Sequence, residues 1–224
     1  MKTYRLRTTL ATGVATALTA ATVAVAAPAD AGAADVPSQR SAEHQAGSTS
    51  LAAVLAADGH RFDTRWGDFD ILDRAVSTVL KAKPNSAVGL LAKGRQPATV
   101  FAPTDRAFRK LVRALAGKAP QTEKATFRSL AAAAGVGTIE AVLLYHVVPG
   151  RTLTSTKVLE ADGARLRTAQ GGVVRVNVTK NGVRLVDRDP SATNATAIPH
   201  LLDINKGNRQ IAHGINRVLR PVDL

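Results

Sequence analysis

Apolar and polar positions change their spacing near the middle of this chain. In the first half the spacing is helical. In DFDILDRAVSTVLKAKP, the residues Ile71, Leu72, Ala75, Val76, Val79 and Leu80 share one face, Asp70 stands as an N-cap, and Pro84 closes the segment. TDRAFRKLVRALAG repeats the arrangement, with Thr104 as N-cap, Ala107, Phe108, Leu111, Val112 and Leu115 on one face, and Gly117 at the end. A short helix is expected at LAAVLAADG, from Leu51 to near Gly59. Two more are expected over about 122–134 and from about 138 into Tyr145.

The second half alternates instead. In GVVRVNVTKNGVRLVD, Val174, Val176 and Val178 alternate with Arg175, Asn177 and Thr179. Asn181-Gly182 is a strong hairpin signal because both residue types tolerate positive φ, and a turn at that pair sets Val178 opposite Leu185. QIAHGINRVLRPV also alternates, with Ile211, His213 and Ile215 on one side. Helices followed by strands predict an α+β domain, and no internal repeat divides it.

The amino terminus reads differently. Lys2, Arg5 and Arg7 precede a small-residue apolar stretch, and Ala-x-Ala-like sites follow between Ala24 and Ala33. That order predicts a secretory signal peptide over 1–33, a flexible linker over 34–50 and one domain over 51–224. No later segment reads as a membrane span. The absence of cysteine excludes thiolate metal sites and cysteine nucleophiles. A domain of this size holds itself together by burial and does not need disulfides.

Charge adds one constraint on partners. Lys and Arg number 30 against 17 Asp and Glu, a net charge of +13. Without residues 1–33 the balance is 27 against 16. Such a surface attracts polyanions, acidic polysaccharide among them. Nucleic acid is not expected, because aromatic residues make up 4% of the chain and are not interleaved with the basic ones. The basic residues concentrate on the helix after Thr104, at Arg106, Arg109, Lys110 and Arg113.

Four stretches together resemble the fasciclin domain family: TVFAPTDRAF at 99–108, LLYHVVPG at 143–150, the Val-rich hairpin, and IAHGINRVLRP at 211–221. The resemblance spans 51–221 and implies a fasciclin-like β-wedge or sandwich flanked by α-helices. It further implies an extracellular adhesion or matrix-binding module without catalytic activity. Two departures stand out. The segment around HRFDTRWGDF is longer than usual for the family, and GNRQIA occupies the place of an Asn-Gly turn.

The resemblance marks Tyr145 and His146 as a mainly structural pair that animal members also connect with receptor binding. Asp203-Ile204 lies near the position of an Asp-Ile integrin contact in some members. Candidate binding residues are therefore Tyr145, His146, Asp203, Ile204, Arg106, Arg109 and Arg113. The expected partner is an extracellular matrix or cell-surface protein, or an acidic polysaccharide, met by a secreted monomer. Nucleophile elbows, phosphate loops, dinucleotide fingerprints and zinc-protease motifs do not occur, so no catalytic residue, cofactor or metal is expected. A second reading is a secreted or periplasmic small-ligand binder or enzyme with a pocket near His146 and His213. It requires those imidazoles to converge with a carboxylate.

Overall fold

The computed structural model describes residues 46–222. The signal-peptide reading and the first part of the linker reading lie outside the described residues. In chain order the elements are α1 (Leu51–Leu55), α2 (Asp70–Ala82), β1 (Ala98–Pro103), α3 (Asp105–Ala116), α4 (Glu123–Tyr145) and β2 (Val147–Pro149). They continue with α5 (Ser155–Leu159), β3 (Arg165–Arg167), β4 (Val173–Thr179), β5 (Gly182–Val186), β6 (Ala195–Thr196) and β7 (Gln210–Ile215). The α+β expectation holds.

Two sheets form. In the first, β1 lies between β2, which is antiparallel to it, and β7, which is parallel and pairs Ala98 with Gln210 through Pro103 with Ile215. The second is an antiparallel sheet in the order β3-β4-β5-β6. Every residue of β1 and of β7 is buried, because the first sheet has a core on each face. Val100, Ala102 and Ala212 face the core built with α1, α2, α3 and the end of α4. Phe101, Val148 and Ile215 face the other way, onto Val174, Val176 and Leu185 of the second sheet. A sheet covered on both faces needs apolar residues at successive positions, which explains the run Ala98–Ala102, interrupted only by Thr99, whose buried hydroxyl donates to the Arg151 carbonyl and accepts from the Leu153 amide. The second sheet keeps the alternation read from the sequence, with Val174, Val176, Val183 and Leu185 buried and Arg175 and Arg184 exposed.

Three local expectations change. The α2 helix begins at Asp70 itself, with Phe69 in the capping position. Its capping acceptor comes from another element: the Asp105 carboxylate takes the Asp70 and Ile71 amides at 3.1 and 2.8 Å. The hairpin pairs Val178 with Val183 and Val176 with Leu185, so the turn is at Lys180-Asn181. Gly182 then takes the positive φ of 107°. The shift is two residues, and side chains alternate with period two, so each keeps its expected face.

The linker reading also ends earlier than residue 50. Gly47 exchanges amide hydrogen bonds with Gly207 and Arg209, and Ser48 lies so close to Gly94 that a side chain there would meet its carbonyl. The two helices expected over 122–145 are kept as the two parts of α4, which breaks at Gly135 between them. By length and composition α4 is apolar enough to cross a membrane, unlike any segment in the sequence reading. Gly135 interrupts it with φ 67° and ψ 168°, and neither part reaches the roughly 20 residues that a span requires.

Candidate functional site

Tyr145 and His146 end α4 and lead directly into β2, which fixes both rings between the two cores. The Tyr145 hydroxyl donates to the Val173 carbonyl at 2.8 Å. Its ring lies against Gly172, where an added Cβ would stand 2.7 Å from Cε2. Burial, then the nearby Asp187, pushes the phenol up to about 12. His146 is 2% exposed. The Leu219 amide donates to its Nε2 at 2.9 Å, so the proton is on Nδ1, which donates to the Val142 carbonyl at 2.7 Å. Burial pulls this imidazole down to about 4, leaving a neutral ring with both nitrogens in use.

His213 is held in the same manner at a different place. Its Nε2 lies 2.8 Å from the Leu153 carbonyl, and the Asp203 amide donates to Nδ1 at 3.3 Å. Burial lowers its pKa. His146 lines an apolar cavity of about 350 Å³ beside Asp68, Leu72, Leu143 and Ile204, and His213 does not reach it. The structure therefore does not bring these two histidines together.

Asp203 adopts a left-handed conformation with φ 57°. Its carboxylate accepts from the Ser155 amide and hydroxyl, both at 2.7 Å, and pairs with Lys206 at 3.4 Å. Burial acts to raise its pKa, but the Ser155 and Lys206 contacts outweigh it and hold the group below the usual range. Ile204 forms a two-bond bridge to Ala212 and packs against the helical core. The polar groups of this segment thus secure the loop to β7 and α5.

The arginines of α3 divide by role. Arg109 stacks its guanidinium 4.7 Å over the Trp66 ring and donates from Nε to the Pro120 carbonyl at 2.7 Å. Arg106 and Arg113 are exposed. Lys110, one turn after Arg106, donates to the Asn216 carbonyl at 3.2 Å. Its pKa is lowered by burial first and then by Arg217 and Arg106. Among the described residues, no ion pair neutralises Arg106, Arg109, Lys110 or Arg113.

Beside this face is a cleft of about 320 Å³ lined by Trp66, Arg106, Lys110, His200 and Asn216. Sequence reasoning named the arginines of α3 but not Trp66, His200 or Asn216. These come from three separate segments: the loop before α2, the turn at Pro199–Leu201 and the residue after β7. The sole tryptophan, placed beside a run of charged residues, was the available signal.

A family model for the fasciclin domain matches residues 74–221. A solved FAS1 domain pair from the insect cell adhesion molecule Fasciclin I has a similar fold, with a TM-score of 0.51 and 14% identity. The match covers 77% of this chain and 51% of that one, so this chain spans about half of the domain pair. No curated protein matches.

Proposed function

Because this chain belongs to the fasciclin domain family, a family of adhesion-type modules, we propose that it is a secreted, non-catalytic adhesion module. It binds an acidic polysaccharide of a matrix or cell surface through the basic face of α3. One observation supports the face. Arg106 and Arg113 are exposed beside the Trp66 cleft without an acidic partner, whereas the polar groups of Tyr145, His146 and Asp203 are engaged inside the fold. The crowding of Lys110 by Arg106 and Arg217 marks this as the place where added anionic charge relieves like-charge repulsion. Arg109 serves the site indirectly by holding Trp66 at its edge.

The test is retention on immobilised heparin, used as a sulfated polysaccharide probe, over a salt gradient. Charge-driven binding weakens as the screening length falls from about 10 Å at 0.1 M salt to about 3 Å at 1 M. Arg106→Glu with Arg113→Glu is expected to elute at much lower salt than Lys180→Glu with Arg184→Glu, an equal charge change on the exposed β4–β5 hairpin. Equal losses from both pairs would overturn the assignment to α3. Binding insensitive to salt and to the α3 pair, but lost in folded Asp203→Ala, would favour a protein partner at the Asp203-Ile204 segment.

A further inference from the structure

The helices α2, α3 and α4 begin at Asp70, Asp105 and Glu123, and all three of these carboxylates are buried. The loop before α2 adds Asp63 and Asp68. One carboxylate oxygen from each of Asp63, Asp68, Asp70 and Glu123 lies within 4.8 Å of the others. Acids at helix starts usually answer to free amides, and several here do. Asp105 caps α2, and the Asp63 amide lies 3.1 Å from Asp70 Oδ2 and 2.7 Å from Glu123 Oε2.

Those amides leave part of the cluster unexplained. Glu123 is 0% exposed, yet its Oε1 accepts no hydrogen bond, and the buried Oδ1 of Asp68 accepts none either. Arg65 pairs with Asp68 at the edge of the cluster. It stands 3.7 Å from Asp68 on a side chain that is 80% exposed, where such pairs contribute little. A fully buried carboxylate with an unpartnered oxygen, set in a cluster of other carboxylates, is a costly arrangement that a bound cation relieves.

We propose that Asp63, Asp68, Asp70 and Glu123 form a calcium-binding site. The donors are all oxygen, which selects a hard cation over zinc or copper. Size then separates calcium from magnesium. Two oxygens at 2.3–2.6 Å from a shared calcium can be at most about 5 Å apart, whereas magnesium at 2.0–2.1 Å limits them to about 4 Å. A donor set spread over up to 4.8 Å fits the larger ion. Asp63 is exposed at the rim and provides the entry, while Glu123 forms the floor. Three of the four donors precede the segment 74–221 that matches the family: Asp63 and Asp68 in the HRFDTRWGDF loop, and Asp70 at the start of α2. No local spacing in the sequence signals the site, because the fourth donor, Glu123, lies more than fifty residues after Asp63.

Trp66 sits in the loop between two of the ligands and supplies the assay. Protein stripped with EDTA is titrated with terbium while the tryptophan is excited, and calcium is then added in competition. The expected result is sensitised terbium emission that calcium displaces and magnesium displaces far less well. A calcium-dependent rise in Tm should accompany it. Asp63→Asn, at an exposed position, and Glu123→Gln, which keeps an acceptor for the Asp63 amide, should each weaken calcium binding at least about tenfold. Extracellular calcium modules bind with Kd of about 10⁻⁴–10⁻³ M, so no Tm shift at about 10 mM calcium would overturn the proposal. Terbium emission that persists unchanged in folded Asp63→Asn would also overturn it. Displacement by magnesium as effective as by calcium would overturn the choice of ion.

Discussion

The neutral state of His146 makes a quantitative prediction about acid stability. In the unfolded chain its imidazole titrates at the ordinary 6.5, whereas burial holds it at about 4 in the folded protein. Between these values the unfolded chain binds a proton that the native protein refuses. Stability is therefore fully present above about pH 6.5 and declines as pH falls towards 4, where the native ring begins to protonate as well. At about 1.4 kcal/mol per pKa unit the loss approaches roughly 3 kcal/mol. That is a large share of the 5–15 kcal/mol typical of a domain.

Other groups act in the same window, so the total slope is not diagnostic. Burial, with Asp68 beside it, raises Asp105 to about 9, which stabilises the fold as pH falls below that value. His213 is lowered and works in the same direction as His146. The informative quantity is the difference between the wild type and His146→Gln, from urea unfolding in EDTA at several pH values. Wild-type stability relative to the variant should fall by roughly 3 kcal/mol between about pH 7 and pH 4. NMR titration of the native ring should show no protonation near pH 6.5. A flat difference, or a native His146 titrating close to 6.5, would refute the reasoning.

Core and backbone positions give three further predictions. Leu185→Ala, at a site with 0% exposure in the second core, should lower stability by about 2–5 kcal/mol, read as a shifted urea midpoint with an unchanged slope. Gly135→Ala places a side chain at φ 67° in the break of α4 and should cost about 1–3 kcal/mol by thermal unfolding, although nothing lies within 4 Å of the new Cβ. Gly94→Ala would put a Cβ 1.8 Å from the Ser48 carbonyl oxygen, a backbone atom that cannot rotate away. Residues 47–50 should then detach, and limited proteolysis near Ser48 should become rapid while the remaining domain stays folded.

Much of the fold was legible because each half of the chain follows one period. The 3.6-residue spacing of Ile71, Ala75 and Val79 gave α2, and the alternation of Val174 and Val176 gave β4 with its buried face. The hairpin register was two residues off because Asn181-Gly182 supports two turns. A type I′ turn at Asn181-Gly182 needs positive φ at both residues, whereas the observed turn at Lys180-Asn181 is followed by a positive φ at Gly182 alone. The Asp70 cap failed for a tertiary reason. The acceptor at the start of α2 is Asp105, thirty-five residues later, and no local pattern reports it.

The site was legible to a smaller extent. Tyr145 and His146 could be recognised as a polar pair in an apolar run, but their partners are set by tertiary packing: Val173 opens β4, and Leu219 lies in the segment after β7. The acidic cluster is the extreme case, since its members come from one loop and from the starts of two helices far apart in the chain.

The parallel pairing of β1 with β7 has a kinetic consequence. The strand at the centre of the first sheet waits for a partner that begins at Gln210, so loop closure over more than a hundred residues precedes the contacts that reward it. Both cores share that sheet, and neither closes until the partner arrives. Such high contact order implies slow folding through one late and highly cooperative step. Once formed, the two cores should open together, so an ion or partner that stabilises the helical end also slows the unfolding of the distant hairpin.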